Sequence, residues 1–269
     1  MDYEIIALDI DGTLTNSKKE LTDRTKNALI AAQQCGKKVI LASGRHDFGM
    51  REIVRELELE KYGGYVMAFN GGKIINAQSK EIIASVNFPH EYIQPIYECL
   101  NDSNITVMTF ENDTIITNQK VNPYTHIEAE TVKMDSKTVS NFLDYVTFDV
   151  HKLLLVGEPE EIDRYQAVLT DKFKGYLDMF KSCPFFLEVM PFGVNKGASL
   201  AKMLPQIGYK REQLIAFGDS YNDMTMIGYA GCGVCMENGE KDVKKIADIV
   251  ADSNDKDGVA KIIEKYVLS

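Results

Sequence analysis

Ile5-Ile6-Ala7-Leu8-Asp9-Ile10-Asp11-Gly12-Thr13-Leu14 decides the fold of this chain, because an apolar run ends there abruptly in two carboxylates, a glycine and a hydroxyl. A short apolar run bounded by turn residues is the signature of a strand buried on both faces, and such strands build parallel sheets covered by helices. Asp9 then stands at the carboxyl end of a buried strand. Side chains alternate across a strand, so Asp9 and Asp11 share a face if the extended geometry persists, and Gly12 lets the backbone turn away directly after them. Two carboxylates about 4 Å apart repel by roughly 4 kcal/mol at an effective dielectric near 20, so a bound cation or a shared proton is expected. A hard divalent ion with oxygen ligands fits that environment. Taken alone, the stretch also reads as a polar strand-to-loop turn, since Asp and Gly are common turn residues.

With 269 residues the chain is long enough for one large domain or two smaller ones, either of which can bury a sizeable core. A net charge of -10 argues against broad binding to nucleic acid or to an anionic membrane, although phosphate can still be held locally. The opening Met1-Asp2-Tyr3-Glu4 is acidic and runs straight into a strand, without the basic and apolar regions of a secretory signal, and no apolar run reaches membrane-spanning length. A cytoplasmic location is therefore expected, in keeping with five cysteines, an odd number without disulfide-framework spacing. Cys232 and Cys235 form a C-x-x-C, but no second pair exists to complete a zinc site. The surrounding Ala230-Gly231-Cys232-Gly233-Val234-Cys235-Met236 reads as a strand, where residues three apart face opposite ways, so both are read as small core cysteines.

Outward from the opening strand, residues 22–34 carry apolar positions at helical spacing, with Thr22 as cap and Gly36 as stop. Lys38-Val39-Ile40-Leu41-Ala42 is a second apolar strand, followed by Ser43-Gly44-Arg45 and a helix expected over 47–59. Strand, crossover helix and strand in this order imply a parallel, right-handed unit. Tyr65-Val66-Met67-Ala68-Phe69 is a third such strand, ending on Asn70-Gly71-Gly72.

The pattern then changes. A hairpin is expected over 73–76 and 81–86, a helix over 89–102, strands over 106–110 and 114–117, helices over 136–145 and 159–173, and strands over 151–156, 176–181 and 185–190. Residues 118–135 show no clear period of either kind. From Pro191 the earlier pattern returns: Asn195-Lys196-Gly197 opens a helix to about Gln206, and Leu214-Ile215-Ala216-Phe217 is an apolar strand ending on Gly218-Asp219-Ser220. Helices over 222–229, 240–247 and 257–267, with strands at 232–236 and 249–250, complete the chain. The simplest topology is an α/β fold, a parallel-sheet Rossmann-like core over 1–82 and 190–269 interrupted by an inserted α/β domain over 83–189.

Four apolar strands thus end alike, on Asp9, Ser43, Asn70 and Gly218-Asp219. Ligands of open α/β sheets bind in the crevice beyond the carboxyl ends of the strands, so these groups are expected to meet there. Separately, Ser43-Gly44-Arg45 and Asn70-Gly71 read equally as plain turns, Asp219 as a helix cap and Lys196 as a solvated surface lysine. Together, carboxylates at 9, 11 and 219 make a magnesium site that shares substrate phosphate. Ser43 and the amide of Gly44 can then hold phosphate oxygens, and Lys196 in the first turn of its helix favours the same anion.

These residues resemble the four motifs of the haloacid dehalogenase-like phosphohydrolases, and within them the Cof-type sugar-phosphatase group, which carries a large α/β cap. Asp9-Ile10-Asp11-Gly12-Thr13 matches the first motif, Ser43-Gly44-Arg45 the second, Lys196 in Asn195-Lys196-Gly197 the third, and Gly218-Asp219-Ser220-Tyr221-Asn222-Asp223 the fourth. Phe69-Asn70-Gly71-Gly72 resembles the group's Asn-Gly turn, and Cys235 departs from its common alanine.

The resemblance implies that Asp9 is a nucleophile forming an aspartyl-phosphate and Asp11 the acid and base. It also implies Mg²⁺ on the Asp9 side chain, the Asp11 backbone carbonyl and Asp219. Lys196, Ser43, Gly44 and Asn222 would bind the phosphoryl group, with Asp223 and Asn70 supporting them. The cap, closing about hinges near Ile83 and Pro191, would choose a small phosphorylated metabolite. A phosphomutase or a non-catalytic phosphometabolite sensor stays open as an alternative, and the sequence does not fix the oligomeric state.

Overall fold

A computed structural model describes residues 3–118 and 123–269. Met1 and Asp2 of the opening segment, and 119–122 within the stretch that lacks a period, lie outside the described residues. The chain divides into two compact units, one of Met1–Ser85 with Asn195–Ser269 and one of Val86–Val194.

The first unit opens with β1 (Ile5–Leu8), α1 (Asp23–Gln34), β2 (Lys38–Ala42), α2 (Arg51–Glu56), α3 (Leu59–Tyr62), β3 (Tyr65–Ala68), β4 (Lys73–Asn76) and β5 (Ile82–Ser85). The second unit holds α4 (Ile93–Cys99), β6 (Thr106–Glu111), β7 (Thr114–Thr117), α5 (Pro123–Val132), β8 (Asp135–Thr138), α6 (Phe142–Tyr145), β9 (Leu153–Val156), α7 (Pro159–Lys172), β10 (Leu177–Cys183) and β11 (Phe186–Pro191). The chain then returns to the first unit with α8 (Lys196–Gln206), β12 (Leu214–Gly218), α9 (Met224–Tyr229), β13 (Cys232–Met236), α10 (Lys241–Ile246), β14 (Ile249–Ala251) and α11 (Gly258–Tyr266).

The eight strands of the first unit run β14-β13-β12-β1-β2-β3-β4-β5, parallel from β14 to β3 and antiparallel across the last two. Every residue of β1 is fully buried, as a central strand with both faces covered requires. Alternation sends Ile5 and Ala7 to the face packed on Leu200, Met203 and Leu204 of α8. Burial of one such aliphatic side chain is worth about 1.5–3 kcal/mol. Register then aligns the strand ends: Leu8 pairs with both Leu41 and Phe217, and Ala42 with Met67. The polar residues that follow each strand therefore emerge at one edge of the sheet.

The second unit has its own six-stranded sheet, β10-β11-β9-β6-β7-β8, antiparallel except for the parallel β7–β8 pair. Val107, Ile116, Leu153, Leu155, Leu187 and Val189 alternate onto one face and share a core with Ile96 of α4 and with Ile162 and Leu169 of α7.

Two local expectations are corrected, and a stretch without a readable period takes a definite structure. The helix expected over 136–145 is instead strand β8 followed by the short α6: all four β8 residues are exposed, so this polar edge strand carries no apolar alternation, and the Asn141 side chain starts the helix only at Phe142 by accepting from the amides of Leu143 and Asp144. Within the stretch that shows no period, α5 forms, its buried face made of Thr125, Glu128 and Val132. The single helix expected over 47–59 is broken, because Glu58 takes a left-handed φ of 52° between α2 and α3. Among the described residues no helix is long and apolar enough to cross a membrane, and Cys232 and Cys235 are buried in β13.

Candidate active site

The site forms where β1, β2, β3 and β12 end together. β1 stops at Leu8, and the backbone amide of Asp9 still donates to the carbonyl of Phe217 at 3.0 Å, which fixes Asp9 against β12. α8 brings in Lys196 as its first residue, because Asn195 caps the helix by accepting from the amide of Ala198 at 2.8 Å. Gly197 lets α8 press against α9, since a Cβ there would lie 2.2 Å from the carbonyl oxygen of Thr225.

Lys196 has no exposed surface and donates from Nζ to Oδ1 of Asp9 and to Oδ1 of Asp223, both at 2.6 Å. The other oxygen of Asp223 accepts the backbone amides of Asp219, at 2.9 Å, and of Ser220, at 3.0 Å. Asp223 thereby shapes the turn after β12 and fixes the lysine at once. Asp219 accepts on Oδ1 from the Thr13 hydroxyl at 2.7 Å. Oxygens of Asp9, Asp219 and Asp223 lie within 4.8 Å of one another.

Crowding and burial set the protonation of this group. Burial, followed by the charge of Asp223, raises the Asp9 carboxyl well above its ordinary value, while Lys196 draws it down. Burial and Asp223 likewise push Asp219 up to about 7, partly offset by the Thr13 hydroxyl. Burial alone would lower the Lys196 pKa, but Asp223 and Asp9 outweigh it, so the ammonium is held charged. Two carboxyls kept from ionising beside a third are what a divalent cation would relieve. The chemistry of the donors agrees: hard oxygens, with Oδ2 of both Asp9 and Asp219 engaged in no hydrogen bond among the described residues.

The Asp11 side chain does not join this cluster, which corrects the expected convergence of the two carboxylates of the opening motif. Extended geometry ends at Leu8 and the chain turns through Ile10, so strand alternation no longer applies. Asp11 instead accepts from Nε and Nη2 of Arg45, at 2.7 and 2.6 Å, and from Nζ of Lys19 at 2.6 Å. Burial works to raise its pKa, but Arg45 and Lys19 prevail and hold it below the usual carboxylate range.

Ser43 and Asn70 are buried beside it, and the amide of Asn70 donates to the carbonyl of Ser43 at 2.9 Å. Asn70 adopts a left-handed φ of 52°, a conformation asparagine tolerates. Its Oδ1 accepts from Nδ2 of Asn222 at 3.1 Å, while its own Nδ2 is buried without a partner. A Cβ on Gly44 would stand 3.1 Å from that Nδ2, so Gly44, Asn70 and Asn222 form a second, donor-rich group.

Sequence reasoning assigned no role to three side chains that the geometry makes prominent. Arg45 and Thr13 lie inside motifs already singled out, so their adjacency was a usable signal. Lys19 had none, because it reaches Asp11 only through a turn in which its own φ is 63°.

Residues 6–263 match the haloacid dehalogenase-like hydrolase family. The chain is 31% identical over 270 residues to the 5-amino-6-(5-phospho-D-ribitylamino)uracil phosphatase YcsE of Bacillus subtilis, covering 100% of this chain and 97% of that protein. A crystal structure of a haloacid dehalogenase-like hydrolase from Bacteroides thetaiotaomicron superposes with a TM-score of 0.91 at 40% identity, over 98% of this chain and 99% of that one. The subclass IIB sugar phosphatase BT4131 superposes with a TM-score of 0.82 at 21% identity, covering 98% of both chains, a likeness of fold.

Proposed function

The chain belongs to the haloacid dehalogenase-like hydrolase family and is a phosphatase, and we propose that it hydrolyses small phosphomonoesters, sugar phosphates or related phosphometabolites, through an aspartyl-phosphate on Asp9. The observation that carries this reading is the buried Asp9–Lys196–Asp223 ion pair at the end of the central strand. An aspartate with one oxygen held by a lysine and the other unengaged is a positioned nucleophile.

In the first half-reaction a carboxylate oxygen of Asp9 forms a bond to phosphorus while the ester P–O bond breaks, and the departing alkoxide takes a proton from the Asp11 carboxyl. In the second, water adds to the same phosphorus, the Asp11 carboxylate takes its proton, and inorganic phosphate leaves as Asp9 is restored. Lys196, Ser43, the amide of Gly44 and Asn222 would hold the phosphoryl oxygens. The unpartnered Nδ2 of Asn70 is a buried donor that an anion in this pocket would satisfy.

Asp9 and Asp219, with the Asp11 backbone carbonyl, would hold Mg²⁺, which when bound supplies positive charge against the transferring group. Asp223 has both oxygens committed and serves the lysine and the turn instead. The inserted segment, 83–189, is proposed as the cap that selects the substrate. The relative named for a phosphoribitylamino-uracil substrate supports a polyol- or sugar-bearing phosphate ester, and a cytoplasmic setting suits an odd number of cysteines without disulfide-framework spacing.

The test is phosphate release from a panel of phosphomonoesters, with Mg²⁺ or with chelator, using Asp9→Asn as the blank. Magnesium-dependent release absent from the blank is expected. Isomerised ester without released phosphate would establish a mutase, and binding without any conversion would establish a sensor.

A further inference from the structure

The antiparallel end of the eight-stranded sheet carries a cavity of about 750 Å³, which shares no residue with the carboxylate site. It arises where the helical cover is short and broken: α2 has six residues, Glu58 turns the chain, and α3 has four. Its floor is apolar, made of Val54, Val66 and Ala77, which are buried, with Ile75 and the half-exposed Ile82 of the edge strand.

The rim is charged and unbalanced. Lys73 pairs with Asp47, Lys61 with Glu58 and Lys80 with Glu60, so each of the three acids that line the cavity has a lysine. Arg51 and Arg55 remain in excess, four residues apart on one face of α2, with Arg51 lying over the Phe48 ring at 4.2 Å. Like charges at that spacing destabilise a helix, and this helix is only six residues long. The lining of this cleft is thus net positive on a chain of net charge -10.

We infer that this cavity binds a small amphipathic anion, an apolar body bearing a carboxylate or phosphate, with Arg51 and Arg55 on the head group and Val54, Val66 and Ile82 on the body. The volume lies within the roughly 300–1,000 Å³ of small-ligand sites. Guanidinium forks match both head groups bidentately. The ligand supplies the negative charge that the paired acids of the rim do not.

The test is a fluorescence titration of the full chain with anilinonaphthalene sulfonate, in competition with octanoate, octyl phosphate and octylammonium. Octanoate, octyl phosphate or both are expected to displace the probe, which identifies the head group, while octylammonium does not. Combining Arg51→Glu with Arg55→Glu is expected to weaken probe binding by about tenfold or more. Ile82→Asp, which alters an exposed side chain, should weaken it as well and keeps the test decisive if the double variant misfolds. Unchanged affinity in Ile82→Asp and in a folded double variant, or displacement by octylammonium as effective as by octanoate, would overturn the inference.

Discussion

Nζ of Lys196 lies 2.6 Å from Oδ1 of Asp9, with the lysine side chain wholly buried and the aspartate side chain 8% exposed. The same ammonium bridges to Asp223, so one positive charge is shared between two carboxylate groups, and it draws down the Asp9 pKa that burial raises. Lys196 is thus at once part of the proposed chemistry and the group that favours the ionised form of its nucleophile against burial.

Lys196→Met removes the cation and leaves two buried acids facing each other. Loss of one partner from a buried pair costs about 3–5 kcal/mol, and loss of a charge that stabilises the transferring group is expected to lower kcat by about a hundredfold or more. Urea unfolding and phosphate release measure the two effects separately. An unchanged midpoint with unchanged turnover would remove Lys196 from both roles.

Asp219 makes stability depend on pH in a definite direction. Its carboxyl is raised from 3.8 to about 7, so the folded chain holds this proton more tightly than the unfolded one. The stabilisation is fully present below about pH 4 and is lost as pH rises to about 7. Asp9 is raised as well and acts in the same sense. Asp11, which is lowered, contributes above its unfolded value and loses that contribution only as pH falls through its folded one. Chelator-treated protein is therefore expected to unfold at lower urea near pH 7.5 than near pH 5, with Asp219→Asn flattening the difference. Mg²⁺ should restore stability most at the higher pH, where its ligands ionise. A midpoint that rises over the same interval would contradict the assignment.

The parts of this arrangement that were legible in the sequence are those in which one strand rule decides the outcome. An apolar run ending in Asp9 places that residue at a strand end, and register carries Ser43, Asn70 and Asp219 to the same edge. Asp11 lies three residues beyond Leu8, the last residue of β1, where alternation no longer governs side-chain direction, so its partners Arg45 and Lys19 come from turn geometry instead. In the second unit, β8 is polar because it is an exposed edge, and α5 buries Thr125 and Glu128, so neither shows the apolar period that marks strands and helices.

Gly12 is expected to control the metal ligand opposite it. Its φ is 82°, and a Cβ there would lie 2.5 Å from Oδ2 of Asp219, the oxygen engaged in no hydrogen bond. Gly12→Ala must strain the left-handed turn, by about 1–2 kcal/mol, and push Asp219 aside. The Mg²⁺ concentration for half-maximal activity should rise by about tenfold or more, with a lowered unfolding midpoint. Wild-type Mg²⁺ dependence in a folded Gly12→Ala protein would show that Asp219 does not hold the ion.

Asp11 is held as a carboxylate by Arg45 and Lys19, the form required to accept a proton from water, whereas protonating a leaving alkoxide requires the acid. The two duties separate with the leaving group. An aryl phosphate needs little protonation, so Asp11→Asn should still form the aspartyl-phosphate but fail to hydrolyse it. The expected outcome is a burst of nitrophenol equal to the enzyme concentration, then turnover slowed by about 10²–10⁴-fold. An alkyl phosphate should show no burst in this variant, because its first step also needs the acid. Asp9→Asn should give no burst with either ester. Rapid-mix measurement of nitrophenol and phosphate distinguishes these cases, and steady release of both products from Asp11→Asn at the wild-type rate would assign the proton transfers to another group.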